Sequence, residues 1–348
     1  NEKFATAPFA GSVQQTYSRL SFSGITKNRK YKQVENLNLE GEARGGYGDD
    51  AESEIISMRS DYSDKDVALL ATPDPMPLAH IAGGTYFGKV MHTVYEHIDF
   101  TVADLPLEVA RVVDSYVTGS LLREHRQEII DGVVLSLRTP LGGLIGSTTL
   151  AEVSSADRLN ELNFEMGLAA FSHGVMVNNI GKVLVQSLER AGRFEDVLMP
   201  YARVLASDAF AVPLYGLMNG SIDTLIRFSQ DAQQRLFITD WKSNRLDEDG
   251  MAYVIDGYSR ESMVNAMEHH HYPLQALIYG TAVHRYLRSR AGSGTSLPVI
   301  AGMAYFFIRG MVGEPTPMEE EHRHGVFTWE APKGLWQELS DEISGAGK

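Results

Sequence analysis

The sequence predicts a fold of mixed helices and strands, α/β or α+β, and three observations carry that expectation. Apolar residues Phe87, Val90, Met91, Val94, Tyr95 and Ile98 recur at helical spacing over 86–98. Two β-prone runs, 220–228 and 235–242, flank a short polar turn in the manner of a hairpin. The run 299–308 reads as a buried strand. Compact structure is expected to begin near Ile81, after a segment, 71–77, whose three prolines exclude regular helix. Helical pattern continues from Leu107 to about Leu137, and 159–168 could hold a short strand. One long helix is expected within 180–204, and another over about 273–289 with Pro273 at its start. No internal repeat is visible.

Composition bounds the function. The 348 residues are 43 % hydrophobic and 22 % charged, ordinary for a soluble globular protein. The longest apolar runs are far too short to cross a membrane, and no signal peptide is visible, so a cytoplasmic, membrane-free protein is expected. With no cysteine there is no disulfide, thiolate zinc site, iron–sulfur cluster or cysteine nucleophile. A net charge of −14 argues against nonspecific binding to nucleic acid, which is mostly a lysine and arginine effect. That charge is uneven. Residues 1–32 carry six basic residues against Glu2, whereas 33–66 carry ten acids against Arg44, Arg59 and Lys65. The division expected is therefore a partly irregular arm or linker over 1–80 and a folded domain over 81–348.

The chemistry concentrates in the hairpin. With the turn centred between Asp231 and Ala232, opposed residues have numbers summing to 463, and Asp223 faces Asp240. Lys242 lies two residues beyond Asp240 and projects from the same face. Two facing carboxylates repel, and a bridging divalent cation removes the penalty; oxygen ligands suit Mg²⁺ or Mn²⁺. A nearby lysine can orient water or neutralise charge developing in phosphoryl transfer. Taken alone, an Asp-x-Lys is more often a solvated strand end. His92 and Glu96 share a helix face away from the apolar stripe, and Gln275 and Tyr279 repeat the i, i+4 spacing on the later helix; taken alone, each pair is better read as helix surface. Gly83 to Lys89 fits most of a phosphate-binding loop, but Val90 stands where Ser or Thr is needed, so a helix start with small residues is the better reading. His269 to His271, with His322 and His324, read as polar surface, and no serine-hydrolase elbow occurs.

In order along the chain stand Gly84-Thr85, His92-Thr-Val-Tyr-Glu96, Gly220-Ser-Ile-Asp223, Asp240-Trp-Lys242-Ser-Asn244, Tyr272-Pro-Leu-Gln275-Ala-Leu-Ile-Tyr279, His284-Arg-Tyr-Leu287 and Tyr305-Phe-Phe-Ile-Arg309-Gly-Met311. This series resembles the nuclease domain of the RecB family, within the PD-(D/E)xK nuclease superfamily. Thr16-Tyr-Ser-Arg-Leu20 resembles the segment where that family's helicase part passes into its nuclease part. The resemblance implies an α/β restriction-endonuclease-like core, a central mixed β-sheet flanked by helices. It implies a Mg²⁺-dependent exodeoxyribonuclease of the exodeoxyribonuclease V type, in a helicase–nuclease that acts on double-strand DNA ends in recombinational repair. Mn²⁺ or Ca²⁺ could occupy the same site.

Carried over by position, the metal ligands are His92, Asp223, Asp240 and the carbonyl of Trp241. Lys242 matches the catalytic lysine, Gln275 and Tyr279 the supporting, DNA-contacting Q-x-x-x-Y motif, and Glu96 an acidic position of the first motif. The implied partners are DNA, a helicase part of the same polypeptide, and RecC-like and RecD-like subunits. No iron–sulfur cluster and no ATP site belong to this stretch. An AddA-type nuclease domain and a non-cutting module that guides DNA or docks subunits are the alternatives. The net charge of −14 then means that tight DNA binding falls to the other parts of such a machine.

Overall fold

Period-two runs become strands and the 3.6-residue patterns become helices in a computed structural model, which describes residues 18–26, 76–230, 233–246, 254–291 and 297–346. The acidic stretch 33–66 and most of the proline segment lie outside the described residues. In chain order the elements begin with β1 (Arg19–Leu20), α1 (Phe22–Thr26), α2 (Thr85–His97), α3 (Leu105–Tyr116), α4 (Ser120–Glu124) and α5 (Arg126–Leu137). Then come β2 (Pro140–Gly142), β3 (Gly146–Thr149), β4 (Arg158–Gly167), α6 (Val177–Arg190) and α7 (Met199–Leu205). The hairpin is β5 (Leu217–Gln230) with β6 (Gln233–Lys242), followed by α8 (Arg260–His269), α9 (Tyr272–Arg290) and β7 (Val299–Phe307). The described chain ends with β8 (Met318–Glu319), β9 (His322–Arg323), β10 (Val326–Glu330) and α10 (Leu335–Ser344).

The class is α/β. A mixed six-stranded sheet in the order β1-β5-β6-β7-β10, with β4 also on β5, is flanked by helices. A second, four-stranded sheet runs β3-β2-β9-β8. Each face of the large sheet buries its own apolar cluster. One face packs against α6, α7, α9 and α10. The other packs against α2, α3 and α5. Among the described residues no helix is long and apolar enough to cross a membrane.

Several elements depart from the sequence reading. The long helix expected within 180–204 is two helices, because Gly192 turns left-handed (φ 71°) and Asp196 organises the connection. Its carboxylate accepts from the backbone of Leu198 and from the indole N–H of Trp329. The helical stretch 107–137 is three helices separated by Val117 and His125. The expected short strand over 159–168 is ten residues long. Residues 19–26 belong to the sheet and its core, since β1 pairs in parallel with Leu217 and Met218 and Ile25 is buried.

Sheet pairing places an opening in the middle of β5. β4 covers one edge of that strand from Leu217 to Ile226. On the other edge β1 pairs only at Leu217 and Met218, and β6 only from Thr224 onward. Among the described residues, 219–223 of β5 therefore have no strand partner on that side between the two.

Candidate metal centre

The hairpin register is the expected one. Thr224 pairs with Thr239, Leu225 with Ile238, and Gln230 with Gln233. Asp223 and Asp240 are the next residues past the last pair, where β5 and β6 part company. Beneath them the fork is pinned: Thr239 Oγ1 donates to the carbonyl of Thr224 at 2.8 Å, and the Trp241 indole N–H donates to Thr224 Oγ1 at 3.3 Å.

His92 reaches the fork from α2. Its Nδ1 lies 2.9 Å from Asp223 Oδ2, with both side chains about nine-tenths buried (12 % and 10 % exposed). One ligand atom from each of His92, Asp223 and Asp240 fits within 4.8 Å of the others. The helix is set by aromatic packing. Tyr95, three residues on, stacks on Trp241 with ring centroids 4.3 Å apart and planes 7° from parallel, and Phe100 meets Trp241 edge-on. The last turn of α2 is also tied down. Arg158 on β4 donates to the carbonyls of Tyr95 (3.1 Å) and Ile98 (2.6 Å), and Asn160 donates to that of Glu96 (2.8 Å). These groups satisfy carbonyls that a helix end leaves without partners.

Lys242 is 1 % exposed, and its Nζ donates to Asp240 Oδ2 at 3.0 Å. The ammonium also sits 3.8 Å from the centre of the Tyr272 ring and 5.4 Å from that of Tyr305. Tyr305 in turn donates through its hydroxyl to Gln275 Oε1 at 3.0 Å and to the Tyr272 carbonyl. Burial, then the nearby charge of Asp240, push the Tyr305 pKa well above its ordinary value, so it remains a donor at all working pH. Gln275 donates to the Tyr279 hydroxyl at 3.4 Å, and Tyr279 packs edge-on against Phe164. Gly220 lets this packing happen: a Cβ there would sit 2.8 Å from the Phe164 ring.

Of the expected residues, His92, Asp223, Asp240 and Lys242 stand together, with Gln275 and Tyr279 behind them on α9. The Trp241 side chain points into the opposite core beside Tyr95. Glu96 stands apart from the three-residue group, with its carboxylate 3.8 Å from His97 Nδ1 at the surface. His324 is buried rather than at the surface, with Nδ1 against the Ile255 carbonyl, and His271 is half-buried.

One acidic residue was not singled out from sequence. Glu161 on β4 is bracketed by the pairs Asn160–Thr224 and Leu162–Ile222, which puts it opposite Asp223. Its backbone is left-handed (φ 49°), uncommon outside glycine, and its carboxylate accepts from Ser221 Oγ at 2.9 Å. The signal available beforehand was its place in the alternation of a candidate strand.

No protein-family model matches the chain. It is similar to the RecBCD enzyme subunit RecB of Mycolicibacterium smegmatis, 31 % identical over 346 residues, which cover 97 % of this chain and 30 % of that protein. The RecBCD enzyme subunit RecB of Mycobacterium tuberculosis is 32 % identical over 348 residues, again 97 % of this chain and 30 % of the relative. That of Escherichia coli is 24 % identical over 259 residues, 74 % of this chain and 19 % of the relative. The chain thus spans about a third of the length of the mycobacterial relatives it matches.

Proposed function

Because this chain is RecB-like along nearly its whole length, we propose that it is the nuclease part of a helicase–nuclease that degrades DNA from double-strand ends in recombinational repair. The observation that carries the reading is the meeting of His92, Asp223 and Asp240 within 4.8 Å, with Lys242 bonded to Asp240. Two carboxylates and an imidazole around one point fit a hard divalent cation. His92, Asp223, Asp240 and the carbonyl of Trp241 would hold it, with Mg²⁺ as the physiological ion and Mn²⁺ or Ca²⁺ as substitutes. Such an ion, when bound, acts as a Lewis acid toward a phosphodiester oxygen.

The chain's own groups divide the remaining work. Lys242 is held in place by Asp240 and by the Tyr272 ring, so its ammonium can neutralise charge gathering on the phosphate in the transition state. Asp240 keeps that ammonium on the face where the strands part. Glu161 on β4, opposite Asp223 on β5, would orient an attacking water through its carboxylate. Gln275 and Tyr279, both buried on α9, would support the face from behind. In the assembled machine, RecC-like and RecD-like subunits and a helicase part of the same polypeptide would deliver the strands. Cleavage would leave 5′-phosphate and 3′-hydroxyl ends.

Linear DNA incubated with the purified chain should be degraded in Mg²⁺ and spared in EDTA. Lys242→Ala and Asp240→Ala should each lower the rate by about 100-fold or more while the circular dichroism spectrum is kept. Undiminished cutting by either variant would overturn the site. Binding of DNA with no cutting by the wild-type chain would favour the docking-module alternative.

A further inference from the structure

Arg309 is 1 % exposed, and its side chain occupies the boundary between two parts of the centre. It follows β7, the parallel neighbour of β6, in which Phe307 is paired with Lys242. Its Nε donates to the carbonyl of Ser243 at 2.7 Å, one residue past Lys242. Its Nη1 donates to the carbonyls of Leu78 and of Ile81, the latter at 2.8 Å, in the segment that leads into α2. The guanidinium also lies 4.7 Å from the centre of the Phe87 ring, in the first turn of α2. Burying this cation costs free energy unless its donors are matched, and here backbone carbonyls from two distant segments accept from Nε and Nη1.

The consequence is geometric. α2 is anchored at its last turn by Arg158 and at its start by Arg309, and His92 lies between the two anchors. The second anchor also grips Ser243, the residue just past the strand that carries Asp240 and Lys242. We propose that Arg309 is a positioning residue for the centre: it fixes the distance between His92 on α2 and the carboxylates at the fork. This rests on the reading of His92, Asp223 and Asp240 as a cation site. It extends that reading to a side chain bonded to the carbonyls of Ser243, Leu78 and Ile81.

The test uses the full 348-residue chain and Mn²⁺ alone, followed by electron paramagnetic resonance. Free Mn²⁺ gives the affinity, and nitrogen modulation of the spin echo reports ligation by histidine. Wild type should bind Mn²⁺ with nitrogen modulation, and His92→Ala should lose the modulation. Arg309→Met should weaken Mn²⁺ binding by roughly 10–100-fold, the usual effect of losing a group that orients a ligand, and should lose the modulation while the protein stays folded. Arg309→Lys, which keeps the charge and some of the donors, should restore part of both. A purely structural role would lower the melting temperature and leave the nitrogen signal of the folded fraction intact. Wild-type affinity and modulation in a folded Arg309 variant overturn the proposal, as does unfolding of both variants, which would make Arg309 a folding residue. Absence of Mn²⁺ binding by wild type overturns the cation site itself, a result distinct from either.

Discussion

Asp223 and Asp240 carry a conflict that the rest of the centre is arranged to contain. Facing carboxylates on neighbouring strands are destabilising, and here Lys242 and His92 each stand against one of them. A cation that binds the folded chain should therefore stabilise it. At about 100 times its dissociation constant Mg²⁺ should contribute about 2.7 kcal/mol, seen as a higher melting temperature than in EDTA. Asp240→Ala should abolish that increment, and a wild-type melt indifferent to Mg²⁺ would count against the centre. A second residue-scale effect lies at His271. It is left-handed (φ 56°), and its ring meets Phe210 edge-on at 5.3 Å. Burial, then the neighbouring His269, push its pKa down from 6.5 to about 4. Between those values the unfolded chain takes up the proton and the folded chain does not, so stability falls as pH falls through that window. His271→Asn, which tolerates left-handed backbone, should flatten this part of a plot of unfolding free energy against pH. An unchanged slope would show that His271 does not set it.

The hairpin was legible at the scale of elements because its cues are local. A period of two and a short polar turn fix the register, and that register alone placed Asp223 beside Asp240. What local cues could not supply was the third dimension. His92 lies off the apolar stripe of its helix, which in isolation reads as solvated surface. Stacking of Tyr95 on Trp241 is what turns that face toward the fork. Glu161 carries no local cue for the same reason, since its place opposite Asp223 depends on which strand lies beside β4. The elements β10 and α10, short and without a motif, carry no such cue; β10 closes one edge of the sheet and α10 packs on one of its faces. There Gly302 follows a bulge at which Leu236 pairs with Ile300 and Phe237 with Gly302. A Cβ on Gly302 would lie 1.9 Å from the Trp329 carbonyl oxygen. Gly302→Ala should thus cost at least about 1–3 kcal/mol in urea unfolding, by forcing β10 away from β7. A variant as stable as wild type would mean that the strands can separate freely.

At the scale of the whole molecule, the sheet divides two cores and the centre opens at a gap along one strand edge. The N-terminal segment bounds that gap. Removing residues 1–26 would strip β1 from Leu217 and Met218 and take Ile25 out of the core. An uncovered strand edge invites pairing with other chains, so the truncated protein should melt lower and aggregate on size-exclusion chromatography. A sharp monomer peak with an unshifted melt would contradict this. The net charge of −14 belongs to the same scale: like charges repel a polyanion, so DNA cutting by the chain alone should depend on what holds the strand in place. The pairing of β1 also sets an order of events during synthesis. Arg19 must wait for Leu217, about 200 residues later, and at ribosomal speeds of about 5–20 residues per second that delay is roughly 10–40 s. Among the described strands β1 thus waits longest for its neighbour, and until Leu217 emerges that edge of the sheet has no finished rim.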